Sequence, residues 1–556
     1  MSYSLFDSYN YKNCDSTSEM NDEHPRVQRE NKLLARRVTE LLASWISQLI
    51  GPMPLRREEM LNYTITLKDE ITFLEQERCK SYSQENFQKS VVARARRQLY
   101  LWLNFPINEL PAELLAHVFH FVVIAPIDRT LTANRLKLSG VCRRWRNVFI
   151  CTPLLWSSIF IHDHPPYRFS SISLDRAGWV PLEVGIDMRD NFWDGNEQKH
   201  SIIPSHMSIL MNILTPRVPQ IRKLSLLTDT WAPMIVVLNR LQSGPVPVLL
   251  ERLELHRTGS PYVALSGIPR QLLVPARLFR GHMPSLRYLR LDGVHLNWQL
   301  SSLRKLRVLE MRRMAMEVMP SVKVFREILI NSPEVHTLIF QAAGPRWVKQ
   351  ELSTWSKLSL RSLHTLYLGD FVAGYAEFIT ALFESPFLRR LSLDTLDGGD
   401  YTPLLRLMTN AFPMLTVLTI RHLEMSDTKE TEDVIWEWLC SMPKLKFLKI
   451  SRVTDRFFGA LLRHPQLMSG CIGGGTDMQP VCPVLKDVEF VDNNFQMASR
   501  LLDSRRELGV PLRHVFVSTD NATSGELEHY QNLPGLVVSR AHAHMRRDLE
   551  LQYLYD

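Results

Sequence analysis

An apolar triplet that recurs eleven times is the feature that most restricts the fold of this chain. From residue 221 onward, apolar residues repeat with the spacing L-x-x-L-x-L. The triplets are Ile221/Leu224/Leu226, Leu250/Leu253/Leu255, Leu286/Leu289/Leu291, Leu306/Leu309/Met311, Val335/Leu338/Phe340, Leu363/Leu366/Leu368, Leu388/Leu391/Leu393, Leu415/Leu418/Ile420, Leu445/Leu448/Ile450, Leu485/Val488/Phe490 and Leu512/Val515/Val517. The last three residues of each alternate with period two, which indicates a strand with one buried face. The pattern therefore predicts a stacked repeat array, because each unit alone would leave an apolar face bare.

The segments between the triplets support this prediction. Residues 322–333, 375–386, 401–412, 432–442 and 455–465 are amphipathic over two to three helical turns, and most reach a Pro near the next triplet. Together with intervals that mostly lie near 20–29 residues, the pattern is that of leucine-rich repeats. We expect an α/β solenoid with parallel strands on its concave face and helices on its convex face. The Asn or Cys typical after such triplets is mostly absent, which predicts irregular turns.

A second feature precedes the repeats, at residues 107–123 (INELPAELLAHVFHFVV). Pro111 fits the first turn of a helix, and the residues behind it are apolar around almost the whole circumference. A further helix should carry Leu136, Leu138, Val141 and Trp145 on one stripe, with Cys142 buried beside Trp145. The residues alone leave two explanations open: these helices cap the end of the array, or they bind a partner.

Together these pieces resemble the F-box, a short helical module that begins many ubiquitin-ligase receptor subunits. The resemblance rests on N-E-L-P-A-E-L-L-x-x-V-F, V-C-R-R-W-R and T-P-L-L-W-S-S-I, between residues 107 and 159. With a preceding helical segment and degenerate repeats, the chain is similar to fungal F-box/leucine-rich-repeat proteins. The long loop 123–138 between the helices departs from a compact module. The resemblance implies that the module binds an Skp-type adaptor, which is joined to cullin and RING subunits. The residues that would face this adaptor, or support those that do, are Leu110, Pro111, Leu114, Leu115, Val118, Phe119, Val141, Cys142 and Trp145.

Substrate recognition is expected on the concave strand face. Residues that flank the middle position of each triplet point away from the core, and Arg and aromatic side chains there are typical of binding hot spots. The candidates are Arg252, Tyr288, Arg290, Tyr367, Arg390, Phe447 and Lys449. The alternative is that Tyr and Phe are simply good strand formers.

Composition excludes several other classes of protein. The chain has 556 residues and a net charge of +8, with basic residues scattered rather than clustered, and Glu254, Glu310 and Glu489 interrupt the candidate face, so a nucleic-acid groove is not favoured. Catalytic motifs and paired metal-ligand spacings are missing, so we expect no catalytic residues, no metal and no cofactor. The seven Cys form no CxxC pair and indicate an intracellular protein with reduced thiols. No apolar run is long enough to predict a membrane span.

These observations predict five regions: a disordered segment at 1–25, a helical segment at 26–104 that could form a short coiled coil, an F-box-like domain at 105–160, repeats at 180–540 and a tail at 541–556. The predicted function is a non-catalytic substrate-recognition subunit of a cullin-type (SCF) ubiquitin ligase, in the cytoplasm or nucleus. The alternative is a leucine-rich-repeat scaffold that is not coupled to ubiquitination. No membrane or nucleic-acid partner is expected.

Overall fold

The computed structural model describes residues 62, 65–74, 89, 92–94, 97, 107, 110–123, 130–190, 192–196, 199–259, 275–347, 356–463, 480–491, 495–517 and 538–539. Described residues up to Leu115 belong to one compact unit and those from Ala116 onward to a second. In the first unit, residues 65–74 are helical and bury Leu67 and Leu74. The predicted regions 1–25 and 541–556, and most of 26–104, lie outside the described residues.

One long sheet dominates the second unit. Within the described residues, fourteen strands pair in parallel and follow one another in chain order. They are β1 (Ser158–Ile161), β2 (Leu182–Met188), β3 (Ile221–Thr228), β4 (Arg252–Arg257), β5 (Tyr288–Asp292), β6 (Val308–Arg312), β7 (Thr337–Gln341), β9 (Thr365–Gly369), β11 (Arg390–Leu396), β12 (Val417–Leu423), β13 (Phe447–Ser451), β14 (Asp487–Val491), β15 (His514–Val517) and β16 (Val538–Ser539). A separate pair joins β8 (Leu358–Ser359) to β10 (Phe383–Glu384). The chain is therefore of the α/β class. Each sequence repeat contributes one strand to the parallel sheet.

Helices lie before the sheet and between many of its strands. They are α1 (Ala112–Val123), α2 (Thr130–Gly140), α3 (Arg143–Cys151), α4 (Arg168–Ala177), α5 (Pro204–Leu214), α6 (Trp231–Ser243), α7 (Val322–Ile330), α8 (Ala373–Ala381), α9 (Thr402–Met408), α10 (Lys429–Cys440), α11 (Asp455–Leu462) and α12 (Phe495–Glu507). Short 3-10 turns occur at Pro153–Trp156, Thr215–Gln220, Leu278–Gly281 and Met316–Val318. The five predicted helical segments coincide with α7 to α11. Two of these begin at hydroxyl caps, since Ser321 accepts from the Val324 N–H and Thr428 from the Thr431 N–H.

The predicted triplets set the register of the sheet. Their middle residues lie opposite one another without a slip, from Leu224 in β3 to Val515 in β15. Every triplet side chain that the structure describes is buried. The eleven predicted strands are thus present, with their leucines on one face of one sheet. β2 was not predicted, because its sequence LEVGIDM lacks the triplet spacing, yet Val184 pairs with both Ile159 and Leu224.

The turns that follow the strands are more regular than the sequence suggested. In seven described strands, the residue four positions after the middle of the triplet has a positive φ between 44° and 66°. These residues are Gly293, Arg313, Ala342, Asp370, Thr395, His422 and Arg452. The backbone N–H of Arg313 donates to the carbonyl of Gln341 (2.8 Å), and that of Ala342 donates to Gly369 (2.9 Å). The predicted irregularity of the turns is therefore wrong. A shared left-handed conformation and these hydrogen bonds shape the bend. The left-handed conformation costs about 1–2 kcal/mol for each non-glycine residue.

Candidate protein-interaction surfaces

Helix α1 divides its apolar residues between two sides. Among its residues in the second unit, Phe119 and Val123 are buried. Val118, Phe121 and Val122 are exposed, and Phe121 keeps 70% of its surface accessible. These three occupy positions i, i+3 and i+4, so they share one stripe on the helix surface. We call Val118, Phe121 and Val122 the α1 stripe. A helix with a packed side and a bare apolar side provides a surface on which another polypeptide can bury side chains.

Aromatic side chains hold the packed side of α1 in place. The ring of Phe119 lies 4.7 Å from that of Trp145 and 6.2 Å from that of Phe149, both in α3. Phe149 in turn meets Trp156 edge-on at 5.2 Å, and the Trp156 indole N–H donates to the Phe149 carbonyl at 2.9 Å. Because edge-to-face aromatic pairs favour defined geometries, this chain of rings fixes α1 against α3 and the 3-10 turn that follows.

A buried arginine joins these helices to the first strand. Arg135 of α2 is almost fully buried, and its Nη2 donates to the carbonyls of Leu155 (2.9 Å) and Ser158. Its guanidinium also lies over the Trp156 ring at 5.1 Å, while Arg176 of α4 lies over the same ring at 4.7 Å. Burial lowers the pKa of Arg135 to about 10, which leaves it charged at neutral pH. Arg135 therefore connects α2 directly to the backbone where β1 begins.

Val141, Cys142 and Trp145 lie where α2 gives way to α3. The predicted single apolar stripe is interrupted here, because α2 ends at Gly140 and α3 begins at Arg143. Leu136 and Val141 are consequently exposed rather than packed. Cys142 was expected to be buried, but it is half-buried and caps α3, where its Sγ accepts from the Trp145 N–H at 3.4 Å. Trp145 is half-buried against Phe119.

The remaining predicted adaptor-facing residues belong to the first unit. Leu110 is half-buried, Pro111 and Leu114 are exposed, and Leu115 is fully buried. The Pro111 carbonyl accepts from the Leu115 N–H at 3.0 Å, which starts the helix where the sequence predicted it. Of the two leucines on this turn, Leu114 is therefore accessible to solvent and Leu115 is not.

A network of ion pairs covers the outward face of β4 to β6. Arg252 pairs with Glu254 and lies 3.7 Å over the ring of Tyr288. The Tyr288 hydroxyl donates to Glu310 at 3.1 Å, and Arg290 Nε lies 3.0 Å from the same carboxylate. Three of the predicted substrate-binding residues, Arg252, Tyr288 and Arg290, therefore lie together on this face.

His256 occupies the centre of a second group on the same face. Its Nε2 lies 3.6 Å from Glu254 and its Nδ1 3.6 Å from Asp292, which also accepts from Arg313 Nε at 2.5 Å. Burial alone would lower the pKa of His256, but Asp292 and Glu254 raise it above its ordinary value. Burial alone would likewise raise the pKa values of Glu254 and Asp292, yet His256 with Arg252 or Arg313 lowers each to about 2.

These shifts predict a stability maximum in mildly acidic solution. Glu254 and Asp292 stabilise the fold above their ordinary pKa values, and this contribution is lost as the pH falls towards 2. His256 stabilises the fold below its ordinary pKa, and its contribution is lost as the pH rises through its raised folded-state pKa. Denaturant unfolding should therefore show the free energy of unfolding falling on both sides of about pH 5–6. His256→Gln should flatten the alkaline side, and it should also reduce the fall on the acid side, because Glu254 and Asp292 lose a partner that lowers their pKa values. An unchanged alkaline limb would contradict this interpretation.

The other predicted substrate-binding residues are placed differently. Tyr367 donates its hydroxyl to Asp394 at 2.8 Å and stacks under Arg312 at 5.4 Å. Lys449 Nζ lies 2.9 Å from the buried Glu489. Arg390 is half-buried, and burial lowers its pKa. Phe447 is fully buried in a cluster with Val417 and Phe516, so it offers no surface to a partner in this structure.

Several residues on these surfaces were not singled out from the sequence. Arg312 and Arg313 follow the triplet rather than flank its middle residue, and extending the strand alternation by one residue would have found Arg312. Phe121 carried no signal that separated it from the buried Phe119, because both are aromatic residues on one apolar helix. Arg135 was indistinguishable from the solvated arginines around it.

The described residues contain no group of three or more His, Cys, Asp or Glu side chains placed to hold a metal ion. Among them, Cys142, Cys151, Cys440 and Cys482 are free thiols. No helix in the part of the chain that the structure describes has the length and apolarity to cross a membrane.

Comparison with protein families identifies the region around α1 to α3. Residues 107–162 match the model of the F-box-like family. This segment is thus an F-box-like domain, and the resemblance to the F-box seen between residues 107 and 159 is confirmed. The match supports the interpretation of the chain as an F-box protein. The comparison with curated proteins finds no match for the chain.

Proposed function

We propose that the chain is a substrate-recognition subunit of an SCF-type ubiquitin ligase. In this role the F-box-like domain binds an Skp-type adaptor, and the adaptor links it to cullin and RING subunits. F-box domains generally bind such adaptors. The alternative is a protein-interaction scaffold without a ligase, and the two differ in whether an adaptor binds.

The observation that carries this proposal is the bare α1 stripe inside the family match. Val118, Phe121 and Val122 are exposed within 107–162 while Phe119 and Val123 on the same helix are packed. Full burial of such side chains is favourable by about 1.5–3 kcal/mol each, which is enough for three of them to contribute strongly to a stable complex. A helix that only capped the array would be expected to carry a polar outer side.

The sheet supports the second half of the role. Three features favour a leucine-rich-repeat solenoid: each repeat contributes one strand, the triplet leucines share a common register, and helices lie between many of the strands. The strand face of such a solenoid would hold a protein substrate. The chain would contribute no catalytic side chain of its own. Ubiquitin transfer would be carried out by the other subunits, in the cytoplasm or nucleus, with the receptor acting by bringing the substrate close.

The test is co-purification of an Skp-type adaptor with the full chain. Val118→Asp combined with Phe121→Asp should reduce adaptor capture at least about tenfold, because two exposed apolar anchors become charged. Circular dichroism should show the same helix and strand content as the unmodified protein, since both side chains lie outside the packed core.

Ile330→Asp is the matched control, because Ile330 is an exposed apolar residue on a helix of the repeats. It should leave adaptor capture unchanged. The proposal is wrong if the unmodified chain captures no adaptor, or if both variants capture as much as the unmodified chain; the first result would favour the scaffold.

A further inference from the structure

We propose that the outward face of β4 to β6 binds an extended, acidic peptide segment along a diagonal of three arginines, Arg252, Arg290 and Arg312. This inference rests on the proposed role of the repeats in holding a protein substrate, and it names the chemical class of that substrate. The peptide would run obliquely across three neighbouring strands, with carboxylates on every second residue.

The strand register creates the diagonal. Arg252 lies opposite Tyr288, two residues before Arg290 on β5, and Arg290 lies opposite Glu310, two residues before Arg312 on β6. From one arginine to the next, the position shifts by one strand across the sheet and by two residues along it, which is a step of about 8 Å. The two steps of the diagonal therefore span about 16 Å. An extended peptide places alternate side chains about 6.6 Å apart on one side, and the flexible glutamate side chains of the peptide can take up the difference.

The charges on this face are layered. The carboxylates of Glu254 and Glu310 retain only 10% and 3% of their side-chain surface, whereas the side chains of Arg252, Arg290 and Arg312 retain 40%, 30% and 23%. An incoming chain therefore meets guanidinium groups first. Arg252 and Arg290 approach their carboxylates through Nε. The N–H groups of Nη1 and Nη2 are therefore the donors that a peptide carboxylate would engage.

Stacking holds two of the arginines in position before a ligand arrives. Arg252 lies over Tyr288 at 3.7 Å and Arg312 over Tyr367 at 5.4 Å. Because these guanidinium groups are already ordered, binding loses less side-chain entropy than it would at mobile arginines. Rigid arginines beside tyrosines are the composition of binding hot spots.

The same layering favours a peptide over a nucleic acid. A continuous phosphate backbone would pass close to Glu254, Asp292 and Glu310, which lie between the arginines. A surface that binds a phosphate backbone needs clustered cations without carboxylates between them. A peptide can place its carboxylates only where the arginines are.

The experiment measures fluorescence anisotropy of a labelled peptide of alternating Glu and Ser, about nine residues long so that it exceeds the diagonal, added to the purified full chain. Binding should weaken as salt is raised, because the contacts are partly exposed charges. The same peptide with Gln in place of Glu should bind at least about fivefold more weakly, which corresponds to one partly exposed ion pair.

Arg290→Gln tests the site itself. Glu310 keeps Tyr288 and Arg312 as partners in this variant, so the face should remain folded, which an unchanged melting temperature would verify. Its affinity for the Glu peptide should fall at least about fivefold. Arg406→Gln removes the same charge from α9, where Arg406 pairs with the exposed Glu430, and should leave the affinity unchanged.

Three results would overturn the proposal: no binding of the Glu peptide at low salt, equal binding by Arg290→Gln and the unmodified chain, or tighter binding of a single-stranded oligonucleotide of equal charge. The α1 variant with Val118→Asp and Phe121→Asp should bind the peptide normally. If the unmodified chain bound the peptide but captured no adaptor, the result would count against the ligase role alone. If it captured an adaptor but did not bind the peptide, the result would count against the acidic-peptide site alone.

Discussion

Replacing Leu391 with alanine is expected to lower the free energy of unfolding by about 2–5 kcal/mol. Leu391 is fully buried at the middle of its triplet and lies between Leu366 of β9 and Leu418 of β12. Truncation removes the transfer free energy of its side chain and leaves a cavity that neighbouring strands, fixed by their ladders, can close only in part. Denaturant titration monitored by circular dichroism would measure the loss.

Ser392→Ala is the control for Leu391, because Ser392 is the next residue of the same strand and points to the other side of the sheet. It should change the free energy of unfolding by no more than about 0.5 kcal/mol. Equal losses in the two variants would mean that the triplet leucines do not form the core of the sheet.

Replacing Arg135 with alanine is expected to cost about 3 kcal/mol in the free energy of unfolding. The variant leaves the carbonyls of Leu155 and Ser158 without the guanidinium that they bond, and it removes one of the two cations stacked on Trp156. Each buried carbonyl that loses its donor costs about 1–3 kcal/mol, which partial access of water would reduce. The same denaturant titration applies.

Arg176→Ala provides the comparison. Arg176 stacks on the same indole but is only half-buried, so its loss should cost no more than about 1 kcal/mol. If the two variants were equally stable, stacking rather than the carbonyl bonds would hold the helices to β1, and Arg135 would not be the connection between them.

The strands could be predicted from the sequence because burial imposes a local pattern. In β11 and the turn before it, Leu388, Leu391 and Leu393 must face the core while the residues between them face outward, and parallel stacking then aligns every middle residue with its neighbours. The turns could not be predicted in this way. Arg313 and Thr395 adopt the same left-handed conformation, but they share no side-chain chemistry that would announce it.

The candidate surfaces were only partly predictable for a related reason. The sequence showed that α1 is apolar on both sides, but Phe119 and Phe121 differ only in which side the rest of the fold packs against. Alternation likewise assigned Arg290 and Phe447 to the outward face of the sheet, although Phe447 is fully buried there. Strand period determines the direction of a side chain, whereas its exposure depends on tertiary packing.

The constant register has a consequence for how this sheet can change during evolution. Leu289 and Leu309 are separated by 20 residues and Leu448 and Val488 by 40, yet each pair lies side by side in adjacent strands. Connector length is therefore decoupled from strand placement. Insertions and deletions in these connectors can leave the fold unchanged, so the connectors can vary in length, whereas a polar substitution of a middle leucine would disturb the strands on both sides of it.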